Sequence, residues 1–143
     1  MAGPAIMTDS GFWIALYDAT DQYHEEALTL PIDLDEISLV VPWPCLYESL
    51  STRLARRKEK LSLLMTGLRR PNVQLLSDLP YRDVALENMT RIGTQPTRPF
   101  SLVDNVLRAA LTDPNVNVSG LITFNPNDFR DVCGRRGIAL LPR

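Results

Sequence analysis

The chain has 143 residues, a length that fits one domain with a real hydrophobic core. Its 45% hydrophobic and 22% charged residues are those of an ordinary globular protein, and no run approaches the ~18 apolar residues a membrane span needs. The formal net charge of −2 gives no bulk electrostatic reason to bind nucleic acid, so any such surface has to be local. The opening stretch MAGPAIMTDS has no basic region leading into an apolar one and does not read as a secretory signal, which makes the cytoplasm the expected compartment. Met7 is a second plausible start besides Met1. Cys45 and Cys133 lie far apart, outside any CxxC spacing, and His24 is the only histidine. Two idle thiols are expected rather than a disulfide or a sulfur–imidazole metal site.

In chain order, residues 5–8 read as a short buried strand that ends at Asp9, before a small-residue turn at Ser10 and Gly11. Residues 12–17 form an apolar helical segment. Asp21 is placed to cap a helix over 22–30, with Glu25 and Glu26 in its early turns where the helix dipole favours acids. Residues 37–41 are β-branched and apolar, a strand stopped by Pro42. A helix is expected over 44–57, since Pro44 is tolerated in a first turn and Leu46, Leu50 and Leu54 recur every fourth residue, with Tyr47 beside this core-facing stripe. A helix over 59–68, a strand over 73–76 and a helix over 82–91 follow. The clearest helix spans 101–111, with Val103, Val106, Leu107 and Ala110 on one face. Strands over 120–124 and 137–141 complete the chain, and Pro96 and Pro99 read as loop punctuation.

Short apolar strands alternating with helices predict an α/β sandwich with a mainly parallel sheet, formed as a single domain over 1–143. Ligands of such sheets bind beyond the carboxyl ends of strands, at a topological switch point, which directs attention to Asp9 and to Asn125 and Asp128. Asp9 admits two readings, a cleft carboxylate or a cap for the next helix. Glu48 projects about 145° from the centre of the leucine stripe, so it is not a core acid and is either an ordinary exposed glutamate or a site residue. Asp104 belongs to Ser101-Leu-Val-Asp104, a capping pattern that would place a ligand as rigidly as it places a cap. Thr123-Phe-Asn125-Pro-Asn-Asp128-Phe129 crowds polar side chains into a turn just past a buried strand. Clustered carboxylates are the donor set preferred by Mg²⁺ and Mn²⁺.

In their order along the chain, these segments resemble the PIN-domain ribonucleases, in particular the VapC-like toxins of bacterial and archaeal toxin–antitoxin pairs. The resemblance rests on Thr8-Asp9-Ser10, Asp21-Gln-Tyr-His24-Glu-Glu-Ala27, Pro44-Cys-Leu-Tyr-Glu48-Ser-Leu50, Ser101-Leu-Val-Asp104 and Leu121-Ile-Thr123-Phe-Asn125-Pro-Asn-Asp128-Phe129. It implies a PIN-like three-layer sandwich, a metal-dependent endoribonuclease using Mg²⁺ or Mn²⁺, a homodimer and an antitoxin partner that occupies the active site. It also implies that Asp9, Glu48 and Asp104 hold the metal and that Thr123 orients a ligand or water. The family often has a fourth acid where this chain has Asn125; Asp128 is the nearby carboxylate that stands to compensate. The alternative is a PIN-like scaffold that binds RNA or protein through a degraded metal site, a reading that Asn125 keeps open.

Arg53, Arg56, Arg57 and Lys60 share a face if their helix is continuous, and are candidates for RNA phosphate contacts or a solvated face. Arg69-Arg70 and Arg135-Arg136 are weaker candidates of the same type. His24 suits a surface or packing role better than acid–base chemistry, having no second histidine. Phe12, Trp13 and Tyr17 are expected in the core, with this segment also a possible partner contact. No phosphate-binding glycine loop and no nucleophile elbow is present, which excludes nucleotide-cradling and serine-hydrolase chemistry of those kinds.

Overall fold

The computed structural model describes residues 5–51, 53–90 and 100–142, and of Arg53 the backbone alone. Five strands, β1 (Ala5–Thr8), β2 (Ser38–Pro42), β3 (Val73–Leu76), β4 (Gly120–Ile122) and β5 (Ala139–Leu141), form one sheet in the order β3-β2-β1-β4-β5. Every pairing is parallel, with Met7 opposite Val40 on one side and Leu121 on the other. The three central strands are almost continuously buried, because helices cover both faces of a parallel sheet and leave no solvent side to alternate with. The edge strands β3 and β5 are less buried.

The helices are α1 (Ser10–Tyr17), α2 (His24–Leu28), α3 (Trp43–Ser49), α4 (Lys58–Leu68), α5 (Arg82–Asn88), α6 (Leu102–Thr112) and α7 (Arg130–Arg136), with 3₁₀ turns at Arg53–Arg56, Leu79–Tyr81 and Pro126–Asp128. α1 packs on α2, α3 and α4, while α6 packs on α5, α7 and α3. Phe12 and Trp13 are buried in the core, as their apolar spacing requires, and Trp13 gives its indole N–H to the buried Thr8 hydroxyl at 2.7 Å. α1 and α4 meet at Gly67, where a Cβ would lie 2.2 Å from the Tyr17 hydroxyl; only glycine fits without moving that ring. Gly137, at φ 66°, takes the left-handed conformation that ends α7 and turns the chain into β5.

The structure departs from the sequence pattern at three helices. The expected helix over 22–30 is shorter, because the Asp21 carboxylate accepts the Tyr23 N–H at 2.8 Å and stabilises a turn instead of capping a helix. The expected helix over 44–57 is broken. α3 ends at Ser49, where the Ser51 hydroxyl donates to the Tyr47 carbonyl and the Ser51 N–H to the Glu48 carbonyl, tightening the last turn. Leu46 and Leu54 are both buried, but from separate elements, and Tyr47 is 67% exposed rather than part of the core stripe. The helix expected over 82–91 ends early as well, at Asn88, where the chain goes into a turn at Met89 and Thr90; Arg91 and the Pro96 and Pro99 readings lie outside the described residues.

Candidate functional site

The strand order runs outward from β1 in both directions, so the switch point lies between the carboxyl ends of β1 and β4. Asp9 leaves β1 at that point. It is the N-cap of α1, accepting the Phe12 N–H at 3.1 Å through Oδ1, and it also accepts the Thr123 hydroxyl at 2.6 Å through Oδ2. Both readings of Asp9 therefore hold geometrically, as cap and as cleft carboxylate. Thr123, fully buried just past β4, receives the Asn125 N–H at 3.0 Å and so ties the loop after β4 to Asp9. Burial raises the Asp9 pKa to about 6; the bonds from Thr123 and Phe12 oppose this, and the charges of Asp104 and Glu48 add to it.

Glu48 reaches the same place from α3. Its exposed carboxylate accepts a hydrogen bond from the Ser10 hydroxyl at the start of α1. Asp104 sits in the first turn of α6, whose N-cap Ser101 accepts the Asp104 N–H at 3.0 Å; its carboxylate bonds back to Ser101 and lines the cleft with it. Burial raises the Asp104 pKa, and the neighbouring charge of Asp128 adds to the rise. Asp9, Ser10, Glu48, Ser101, Asp104 and Asn125 line one open pocket of about 430 Å³. No lysine, arginine or histidine lines it among the described residues. Asp128 is buried behind this pocket beside Asp104 rather than on its wall.

Three carboxylates and an amide oxygen around one space are a hard-cation donor set, and like-charge crowding is what a divalent ion would relieve. Among the described residues no three acidic, histidine or cysteine side chains converge on a single point as they stand. Asp9 has both oxygens engaged by Thr123 and Phe12, and one Glu48 oxygen is engaged by Ser10. The donor chemistry fits Mg²⁺ or Mn²⁺, and gathering these groups on an ion exchanges protein hydrogen bonds for metal bonds.

A second cavity, of about 500 Å³ between α5, α6 and α7, contains Asp113 and Asp131, but both are already satisfied. Asp131 takes both Arg108 nitrogens at 2.7 Å, which holds its pKa down at about 2, and Asp113 accepts the Tyr81 hydroxyl at 2.7 Å. Arg108 also donates to the Asp128 carbonyl at 2.7 Å and lies 4.3 Å above the Phe100 ring, so it fastens the loop carrying Asp128 to α6.

Arg53, Arg56, Arg57 and Lys60 do not share one helix face, since a 3₁₀ turn and the start of α4 divide them. Arg57 and Lys60 flank a small cleft with Tyr17, Asp18 and Leu54, outside the acidic pocket. The Arg53 side chain lies outside the described residues. His24 offers its Nδ1 to the Ala15 carbonyl at 2.6 Å, a packing contact between α2 and α1. Cys45 and Cys133 are free and buried.

Two features escaped the sequence. One is Ser10, whose only signal in the sequence is its position one residue after a candidate ligand. The other is an apolar groove of about 430 Å³ lined by Pro44, Tyr47, Leu86, Leu102, Val103 and Val106, which shares Glu48 and Val103 with the acidic pocket. No local pattern marks it, because the exposure of Leu86 (63%) and Leu102 (45%) follows from how α5 and α6 pack.

No protein-family model matches the sequence, and no curated protein matches it. Solved structures do match the fold. Mycobacterium tuberculosis VapC20, a sarcin–ricin loop cleaving toxin, is 20% identical over 88% of this chain and 94% of its own, with a TM-score of 0.66. VapBC2 from Rickettsia felis, crystallised with a DNA fragment from their promoter, has a chain 13% identical over 95% of this chain and 96% of its own, with a TM-score of 0.58. The fold is PIN-like, an all-parallel five-stranded sheet flanked by helices, as the sequence resemblance implied.

Proposed function

We propose that this chain is a single PIN-like domain acting as a metal-dependent endoribonuclease, the toxin of a toxin–antitoxin pair. The observation that carries this is the meeting of Asp9, Glu48, Asp104 and Asn125 around one pocket, with no basic side chain among its described lining residues, at the switch point of the sheet. A bound Mg²⁺ or Mn²⁺ would supply Lewis acidity toward a phosphodiester and lower the pKa of attacking water. Asp9, Glu48 and Asp104 would hold it, and Thr123 keeps Asp9 oriented from beneath. Asn125 presents a neutral oxygen where the resembling family often has an acid. Asp128, beside Asp104, supplies negative charge without lining the pocket.

RNA is the proposed substrate, with Arg56, Arg57 and Lys60 as candidate phosphate contacts around the rim of α4 and Arg53 as a fourth. The loss of a shared helix face weakens that assignment, and charge reversal at Arg56 and Arg57 tests it through the salt dependence of RNA binding. An antitoxin and a second copy of the chain are the proposed protein partners. The burial of Phe12 and Trp13 removes most of that segment as a contact. The exposed apolar residues Trp43, Tyr47, Leu79, Leu86 and Leu102 take its place. No helix among the described residues is long and apolar enough to cross a membrane, and an RNA target puts the work in the cytoplasm.

Purified protein is expected to cleave a structured RNA with Mg²⁺ or Mn²⁺ and to stop in EDTA; cleavage that continues in EDTA overturns the reading. The scaffold alternative is favoured by Asn125 and by the absence of a preformed three-ligand set among the described residues. RNA binding without metal binding or cleavage would select it.

A further inference from the structure

The Ser10 hydroxyl donates to Glu48 Oε1 across the mouth of the acidic pocket, joining the first turn of α1 to α3. Glu48 needs such a tether. It is an exposed helix side chain, and a free glutamate loses considerable rotamer entropy when it is held in one place. Asp9 and Asp104, by contrast, are positioned by the helix starts that carry them. Ser10 is itself held from below, because the buried Cys45 thiol lies within hydrogen-bond reach of both the Ser10 amide and its hydroxyl. Cys45 and Glu48 are three residues apart on α3 and so lie on one helix face, with the Ser10 hydroxyl between them.

We propose that Ser10 is a positioning residue for cation binding: its hydroxyl, seated on Cys45, fixes the Glu48 carboxylate in the pocket so that its second oxygen faces the space shared with Asp9 and Asp104. This rests on the metal-site reading above. A partner that orients a ligand without touching the ion is worth about 10- to 100-fold in affinity.

The test measures Mn²⁺ binding by titration calorimetry and by the Mn²⁺-dependent rise in Tm, using the full chain without RNA. Ser10→Ala is expected to keep the metal-free Tm near that of wild type and to weaken Mn²⁺ binding at least about tenfold. Ser10→Thr, which keeps the hydroxyl, is expected to restore most of it. Glu48→Gln in the Ser10→Ala background should add little further loss, because the tether and the ligand act through one carboxylate. Wild-type Mn²⁺ affinity in a folded Ser10→Ala variant overturns the inference and leaves the metal site standing. Absence of Mn²⁺ binding by wild type overturns the metal-site reading itself. If Ser10→Ala fails to fold, the Thr variant carries the test: it must bind Mn²⁺ like wild type, and a loss there overturns the proposal.

Discussion

Asp9 combines a structural and a chemical position in one side chain, and that makes it costly to the fold. Its pKa is raised to about 6 mainly by burial, so at neutral pH the folded protein carries a buried carboxylate whose charge is less stable there than in the unfolded chain. The penalty is on the order of 3 kcal/mol for a shift of this size. Asp9→Asn removes the charge while keeping an oxygen for the Phe12 N–H. In EDTA at pH 7 the variant is expected to unfold at higher denaturant than wild type, and to lose cleavage and Mn²⁺ binding. Lower stability than wild type would show that the Thr123 bond outweighs the buried charge. Asp104→Asn separates a different pair of roles. The cap of α6 is reciprocal: Ser101 accepts the Asp104 N–H, and the Asp104 carboxylate in turn bonds back to Ser101, a contact the amide oxygen of asparagine can keep. The substitution should therefore cost at most about 1 kcal/mol through the helix dipole while cleavage collapses. Wild-type cleavage by a folded Asp104→Asn protein would remove the main support for the site.

Among the elements, the α1–α4 contact is the least tolerant of change. Alanine at Gly67 gains helix propensity of roughly 1 kcal/mol but drives a methyl into the Tyr17 hydroxyl, whose ring stacks on buried Trp13. Overpacking of this type costs about 1–3 kcal/mol, so Gly67→Ala is expected to lower stability in urea denaturation. Adding Tyr17→Phe removes the colliding atom and should recover part of the loss. A Gly67→Ala protein as stable as wild type would mean that the ring swings aside freely. At α6 the cap is simpler: Ser101→Ala should cost about 1 kcal/mol. It also disturbs Asp104, since the capping bond places the turn that carries it.

For the molecule as a whole, groups shifted in opposite directions set the pH dependence of the metal-free fold. Asp9 titrates at about 6 folded against 3.8 unfolded, so between these values the folded state binds more protons and stability rises as pH falls. Asp104 is shifted the same way. Asp131 is held down at about 2 by Arg108, so its contribution is present above 3.8 and is lost as pH falls toward 2. That contribution is small, because Asp131 is nearly half exposed and solvent screens the pair. Chemical denaturation in EDTA is expected to show maximal stability around pH 4 to 5 rather than at pH 7, with Asp9→Asn flattening the fall above pH 5. A steady gain in stability from pH 4 to 7 would contradict these assignments. The exposed apolar patch acts on the same scale: Tyr47→Lys should leave the monomer fold intact and weaken association with a second copy or an antitoxin, read by light scattering and pull-down.

The parallel α/β plan was legible in the chain because its signals are local. Short apolar runs end at polar residues, and the Ser101 capping pattern and the period of α6 both name an element from a few adjacent residues. Asp9 and the Thr123 segment were legible as a candidate site for a related reason, since strand ends in parallel sheets face the ligand side. The break after α3 was not, because Leu46, Leu50 and Leu54 keep helical spacing whether or not the backbone between them is helical, and side-chain bonds from Ser51 decide the matter. Nor was the Ser10–Glu48 hydrogen bond or the setting of Asp128 beside Asp104, which depend on contacts between elements remote in sequence. Local pattern determined which segments are strands and helices and which acids stand at their ends. The strand order β3-β2-β1-β4-β5 decided which of those ends meet, because only packing brings α1, α3 and α6 around one point and leaves Tyr47, Leu86 and Leu102 in solvent beside it.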